Sequence, residues 1–455
     1  MTRAEKMRTE AKRPNVLFLF PDTHRGDWMP YAPEVAATFG MDPLPLRMPQ
    51  LARLMERGVT FTRAITPSPL CAPARACLAA GLRYRAAGVA GNHVDYPLAQ
   101  PTFYQQLKAS GYAVGAVGKL DLHKPTHWWG LNGWVDDLGK LGFTHAVDNA
   151  GKIDAVVSGA TEPRDPYMKY LYDNGLAQVH LADMKNRGRS TEPTDLPDEA
   201  YCDNWVTRNG VDLLRSFPQD DPWFLMVNFV CPHEPWDVTR AMKAEWEGTS
   251  FPAPARCSLP IETSNGIRQN YAAMLANIDR NIGLLLAEVE RRGELANTVV
   301  IYSSDHGDML GDDDKFGKCK PDRGSVHVPL VVSGPGVRQG KVSGALVELQ
   351  DVAATVLDFA GLAMPEARDS LSLLPVLTGR GERHRDVQLS ALGEGPQHRS
   401  EWQTAADGEW KLIVERGRAD RLYRVADDPW ENDNVAEAYP EQTARLKAAL
   451  PAAAR

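Results

Sequence analysis

The chain has no excess of positive charge. Lysine and arginine number 51 against 59 aspartate and glutamate, a formal net charge of -8. Such a surface repels nucleic acid, so no nucleic-acid partner is expected. A substrate anion would instead need a local cluster of cations. No apolar run is long enough to cross a bilayer, and no membrane partner is expected. Residues 1–13 are polar and lack the apolar centre of a secretory signal, which points to a cytoplasmic protein. The six cysteines, at 71, 77, 202, 231, 257 and 319, show no Cys-x-x-Cys pairing. This argues against a structural zinc site and leaves most of them as small buried side chains. Internal repeats are absent too, which excludes a solenoid.

What is present is a large α/β pattern. With 455 residues, 43% of them hydrophobic, the chain can bury one large core and a smaller one. Short continuous apolar runs recur at 15–20, 112–117, 223–229, 298–303 and 328–332. Runs of this length, ended by turn residues, read as strands buried on both faces. Helical periodicity lies between them at 48–57, 102–110, 267–292 and 349–359. The alternation predicts a large mixed, mainly parallel central sheet flanked by helices. Residues 1–13 read as a tail, 14–384 as the main domain, and 125–200 as an insertion over the site that bears on substrate choice. From 385 to 455 the pattern changes to short strands and a final helix over 441–449. That is a smaller α+β subdomain with an antiparallel sheet.

In parallel sheets, sites form beyond the carboxyl ends of strands. Four runs end on chemically useful residues: Asp22; Lys119; His233; Asp305 with His306. Polar residues mark the ends of many strands, but four ends carrying ligand and cation chemistry suggest one crevice. Two carboxylates and an imidazole, from Asp22, Asp305 and His306, suit a divalent cation. Cys71-Ala72-Pro73-Ala74-Arg75 precedes a run that can be helical, so the motif is expected in a loop leading into a helix, where anions are stabilised.

The segment Ser68 to Gly81 resembles the signature of the type I sulfatases, in the alkaline phosphatase superfamily. The resemblance continues along the chain. Asn15 to Asp22 looks like that family's opening strand and first metal Asp, and Gly118-Lys119 like its Gly-Lys motif. Ser304-Asp305-His306-Gly307-Asp308-Met309-Leu310-Gly311, with Phe316-Gly317-Lys318, is similar to its second metal block. Asp407 to Leu412 and Leu422 to Asn434 resemble its C-terminal part.

The resemblance implies an alkaline phosphatase-like fold and hydrolysis of a small-molecule or saccharide sulfate ester. It implies that a separate formylglycine-generating enzyme oxidises Cys71 to formylglycine (3-oxoalanine). One hydroxyl of the aldehyde hydrate would attack sulfur. The other would lose its proton to expel sulfate, so water need not attack sulfur a second time. Arg75 would hold the hydrate, and Lys119 and Lys318 would bind sulfate oxygens. His233 would face the ester oxygen, and it or Lys318 would assist departure of the alcohol. Asp22, Asp305, His306 and the group at 71 would hold one divalent metal. Calcium is the usual ion; manganese and magnesium are the alternatives.

Two positions depart from the family pattern. Thr23 stands where a second acidic or amide ligand is common, a poorer ligand for the metal. Asp121 stands where a His is common. In an extended segment 119, 121 and 123 face one way, which makes His123 the candidate for the missing His. His24 and Arg25 are candidates to support the first metal Asp, and Asp312-Asp313-Asp314 reads as a solvated loop. Two other readings stay open: a phosphonate monoester or phosphodiester hydrolase using the same nucleophile, and a non-catalytic binding protein. The chain is compatible with an oligomer.

Overall fold

The computed structural model describes residues 12–451 apart from 366, 397 and 399. The tail expected over residues 1–13 lies outside the described residues except for Lys12 and Arg13. Arg13 is tied down, donating to the Ser110 carbonyl at 2.8 Å.

The central sheet has eight strands: β1 (Asn15–Leu19), β2 (Gly58–Phe61), β4 (Ala113–Gly118), β5 (His145–Asp148), β6 (Trp223–Asn228), β7 (Thr298–Ser303), β8 (Leu330–Ser333) and β9 (Lys341–Ser343). The two-residue strand β3 (Ala64–Ile65) pairs elsewhere, with β10 (Val347–Glu348). The order is β5-β4-β6-β1-β7-β8-β2-β9. Neighbours pair in parallel, except that β8 runs antiparallel to both β7 and β2. The sheet is therefore mixed and mainly parallel.

Residues alternate between two cores across this sheet. Leu17, Leu19, Val300 and Tyr302 face one, while Val16, Phe18, Val299 and Ile301 face the other. Burial on both faces is why these strands read as unbroken apolar runs. One face is covered by α1 (Pro49–Glu56), α5 (Cys202–Ser216) and α6 (Ile261–Arg291); the other by α2 (Cys71–Ala80), α3 (Phe103–Ala109) and α7 (Asp351–Phe359). The long helix α6 begins six residues before the expected 267, because a polar first turn hid its start.

The stretch 125–200 is not wholly an insertion, because it supplies β5, the edge strand that pairs in parallel with β4; the rest is helices and loops. The stretch includes α4 (Ile153–Ser158) and the helices Pro166–Asp173 and Ala177–Arg187. Beyond it in sequence, strands β11 (Gln388–Leu392), β12 (Trp402–Ala406), β13 (Lys411–Glu415) and β14 (Arg421–Tyr423) form an antiparallel meander. A third, small core seals it against α8 (Pro440–Ala449) through Leu389, Leu412, Leu422 and Leu446. No helix among the described residues is long and apolar enough to cross a membrane. All six cysteines are free thiols, and Cys71, Cys77, Cys202 and Cys231 are buried.

Candidate active site

The motif at Cys71 does not sit in a loop. It forms the first turn of α2, with Leu70 as the N-cap and Cys71 as the first helical residue. Pro73 is tolerated because N–H groups in a first turn have no helical partner to lose. The free N–H of Ala72 is taken by the Asn92 side-chain oxygen at 3.0 Å. The helix ends on Gly81, whose φ of 67° is left-handed. This placement puts Cys71 at the positive end of a helix and Arg75 one turn further on, on the same face.

The four strand ends do converge here. The Asp22 N–H bonds the Phe229 carbonyl at 3.1 Å and the Cys231 carbonyl at 3.2 Å, locking the end of β1 to the segment after β6. Lys119 follows Gly118, which has φ 91° and lies so close to β6 that an added Cβ would meet the Asn228 carbonyl oxygen at 1.9 Å. Only glycine fits there, and the tight passage aims the next residue into the crevice.

Around Cys71 Sγ stand Lys318 Nζ at 2.9 Å, Lys119 Nζ at 3.5 Å and His306 Nε2 at 3.5 Å. In a matured protein this sulfur would be replaced by formylglycine oxygens. Lys318 Nζ also meets His233 Nε2 at 2.5 Å. His233 Nδ1 faces the Glu234 carbonyl, which can only accept, so Nδ1 carries the proton. Lys119 pairs with Asp22 at 2.5 Å, and Arg75 with Asp305 at 3.1 Å and Asp22 at 3.4 Å. Arg75 also donates to the Asn228 side-chain oxygen at 3.0 Å.

These contacts fix the charges. Burial pushes the Asp22 carboxyl up, but Lys119, His233, Lys318 and Arg75 together hold it well below the usual carboxylate range. Burial and Asp22 favour the neutral Cys71 thiol, yet Lys119 and Lys318 bring it well below an ordinary thiol. Burial works against the Lys119 ammonium, and Asp121, Asp22 and Cys71 more than restore it. The pocket is thus built to hold negative charge on the group at 71 and on whatever binds beside it.

Asp22, Cys71, Asp305 and His306 present donor atoms all within 4.8 Å of one another, and all four are buried. Their chemistry fits a divalent cation. His306 Nδ1 donates to the Gly307 carbonyl at 3.0 Å, leaving the Nε2 lone pair facing the carboxylates. Thr23 stands beside this set in a supporting place. Its hydroxyl donates to Asp22 and its N–H to Asp305 at 3.0 Å, so it orients two ligands.

His123 is not brought to the nucleophile. Asp121 adopts φ 54°, which breaks the extended alternation the sequence suggested. His123 Nε2 instead bonds Asp148 at 2.7 Å. His24 and Arg25 also serve other contacts. His24 spans the Tyr302 hydroxyl and the Trp28 carbonyl, at 2.7 Å each, and burial holds its pKa down to about 4. Arg25 binds Asp27 and Asp312. The acidic run 312–314 is a tight turn used in pairing: Asp312 with Arg25 and Arg268, Asp313 with Arg256. Of the tryptophans in the insertion, Trp129 is core and Trp128 is 45% exposed.

The site opens into a cleft of about 510 Å³ lined by Lys119, Lys124, Lys152, His233 and Lys318, with Asp154 and Glu234. Lys152 comes from the region read only as an insertion, and Lys124 stands at its edge. Asn228 had a readable signal too, as the one polar side chain inside the apolar run 223–229.

A mixed α/β sheet, a nucleophile at a helix N-terminus, clustered cations and a hard-ligand set at the strand ends define an alkaline phosphatase-like hydrolase acting on a tetrahedral anion. Comparison with known proteins narrows this. The sulfatase family profile matches residues 14–362, and that of the N-sulphoglucosamine sulphohydrolase C-terminal region matches 313–454. An arylsulfatase of Clostridium perfringens is 26% identical, covering 96% of this chain and 94% of its own. A choline-sulfatase of Rhizobium meliloti is 28% identical over 93% of this chain and 83% of its own. In fold, a phosphonate monoester hydrolase from Silicibacter pomeroyi superposes with a TM-score of 0.79 at 22% identity, covering 96% of this chain and 94% of that one. The chain belongs to the sulfatase family, and it is a sulfuric ester hydrolase.

Proposed function

We propose that the protein hydrolyses a small-molecule or saccharide sulfate ester with a nucleophile made from Cys71 by a formylglycine-generating enzyme. The observation that carries this is the convergence of Lys119, Lys318 and the Asp22–Asp305–His306 set on one atom, Cys71 Sγ. Formylglycine would supply a hydrated aldehyde hydroxyl, and a divalent metal would supply Lewis-acid charge. Calcium suits the hard oxygen donors best, with manganese or magnesium as alternatives.

The chain's own residues do the rest. Asp22, Asp305 and His306 would hold the metal. Arg75 neutralises the two carboxylates and braces the group at 71. Lys119 and Lys318 bind the sulfate oxygens, where negative charge is concentrated and water is scarce. Lys318 and His233, in contact at 2.5 Å, share the proton delivered to the departing alcohol oxygen. The insertion supplies part of the cleft that receives that alcohol.

Mass spectrometry of the peptide containing residue 71, from cells with the maturation enzyme, tests the nucleophile. An aldehyde at 71 in active protein is expected. Active protein carrying only an unmodified Cys71 thiol would overturn the reading.

A further inference from the structure

Lys152 is among the most buried lysines, with its side chain 1% exposed. It lies in the insertion, just before α4. An ammonium has three protons to give, and here each has an acceptor. Nζ donates to the His233 carbonyl at 3.2 Å, the Pro235 carbonyl at 3.2 Å and the Asp237 carboxylate at 2.6 Å. All three acceptors belong to one loop, residues 233–237, which carries His233.

The residues just before Lys152 grip the opposite wall. The Asn149 N–H bonds the Gly118 carbonyl at 3.1 Å, and Asp148 accepts from the Leu120 N–H at 3.0 Å. Gly151, at φ 73°, lies against the methylenes of Lys119, where an added Cβ would meet Cδ at 3.0 Å. One five-residue stretch thus touches the supports of both Lys119 and His233.

We propose that Lys152 is a positioning residue for the leaving-group side of the reaction, holding the 233–237 loop so that His233 Nε2 stays against Lys318. This rests on the sulfate-ester reading above. It assigns the insertion a part in catalysis, because the stretch at 148–152 fixes the spacing of the two cationic arms. Placement of a proton donor matters most when the departing oxygen is basic. Loss of Lys152 should therefore penalise poor leaving groups selectively.

The test uses matured full-length protein with an aldehyde verified at 71. Turnover is measured on 4-nitrophenyl sulfate and on 4-methoxyphenyl sulfate, a poorer leaving group. Lys152→Met is the first variant. Lys152→Met with Asp237→Asn is the second, since it leaves no unpaired buried carboxylate to disturb folding. The expected result for both is a kcat loss at least about tenfold larger for the methoxyphenyl ester than for the nitrophenyl ester. Equal losses on both esters, or no loss, would overturn the positioning role. Failure of the wild-type protein to cleave these aryl esters and also choline and saccharide sulfates would instead overturn the sulfate-ester reading.

Discussion

Replacing Gly118 with alanine tests how the sheet aims Lys119. The new Cβ would lie 1.9 Å from the Asn228 carbonyl oxygen and 2.8 Å from its carbon. β4 and β6 must separate by about 1 Å to relieve this. The left-handed φ of 91° adds about 1–2 kcal/mol for a residue with a Cβ. Overpacking between two paired strands costs about 1–3 kcal/mol. The bond from the Lys119 N–H to the Asn228 carbonyl, at 3.2 Å, is lost as well, about 1 kcal/mol more. Destabilisation should total about 3–6 kcal/mol. At about 2 cal/mol/K of unfolding entropy per residue over 455 residues, the midpoint should fall by a few degrees. The same shift moves Lys119 Nζ relative to Cys71 Sγ, and a 1 Å misplacement costs about a hundredfold in rate. Circular dichroism melting and kcat/KM on 4-nitrophenyl sulfate read the two effects. A variant with wild-type midpoint and wild-type rate would refute the close-approach argument.

Two further outcomes follow from other parts of the structure. Asp305→Asn removes one of the two buried carboxylates of the donor set, so dialysed protein should retain far less divalent metal by elemental analysis; unchanged content would remove Asp305 from the ligands. Burial, with Arg323 nearby, holds His327 down to about 4, while its Nε2–H donates to the Thr62 carbonyl at 3.0 Å. The unfolded chain binds that proton first, so stability rises with pH between about 4 and 6.5 and is lost as pH falls through this window. His327→Gln should flatten the acid side of the curve of unfolding midpoint against pH; an unaltered slope would exclude His327 as its source.

The parts legible in the sequence were those with local signatures. Apolar runs located five sheet strands within a residue or two, because strands buried on both faces need no partner information to be seen. The polar residues ending four of them located Asp22, Lys119, His233, Asp305 and His306. What escaped was set by contacts distant in sequence or by single dihedrals. The antiparallel sense of β8 follows from its partners, β7 and β2. His123 turned to Asp148 because of one left-handed residue, Asp121. Lys152 lay in a stretch of weak periodicity, and its value rests on three acceptors more than 80 residues away. Thr23 looked like a weakened ligand and proved to be a donor to two carboxylates.

The most direct measurement is kcat/KM of matured protein on 4-nitrophenyl sulfate and on an aryl phosphonate monoester, side by side, with Cys71→Ala as control. The account predicts a preference for the sulfate and loss of turnover in Cys71→Ala with the fold retained. A large preference for the phosphonate, or wild-type turnover by Cys71→Ala, would contradict it.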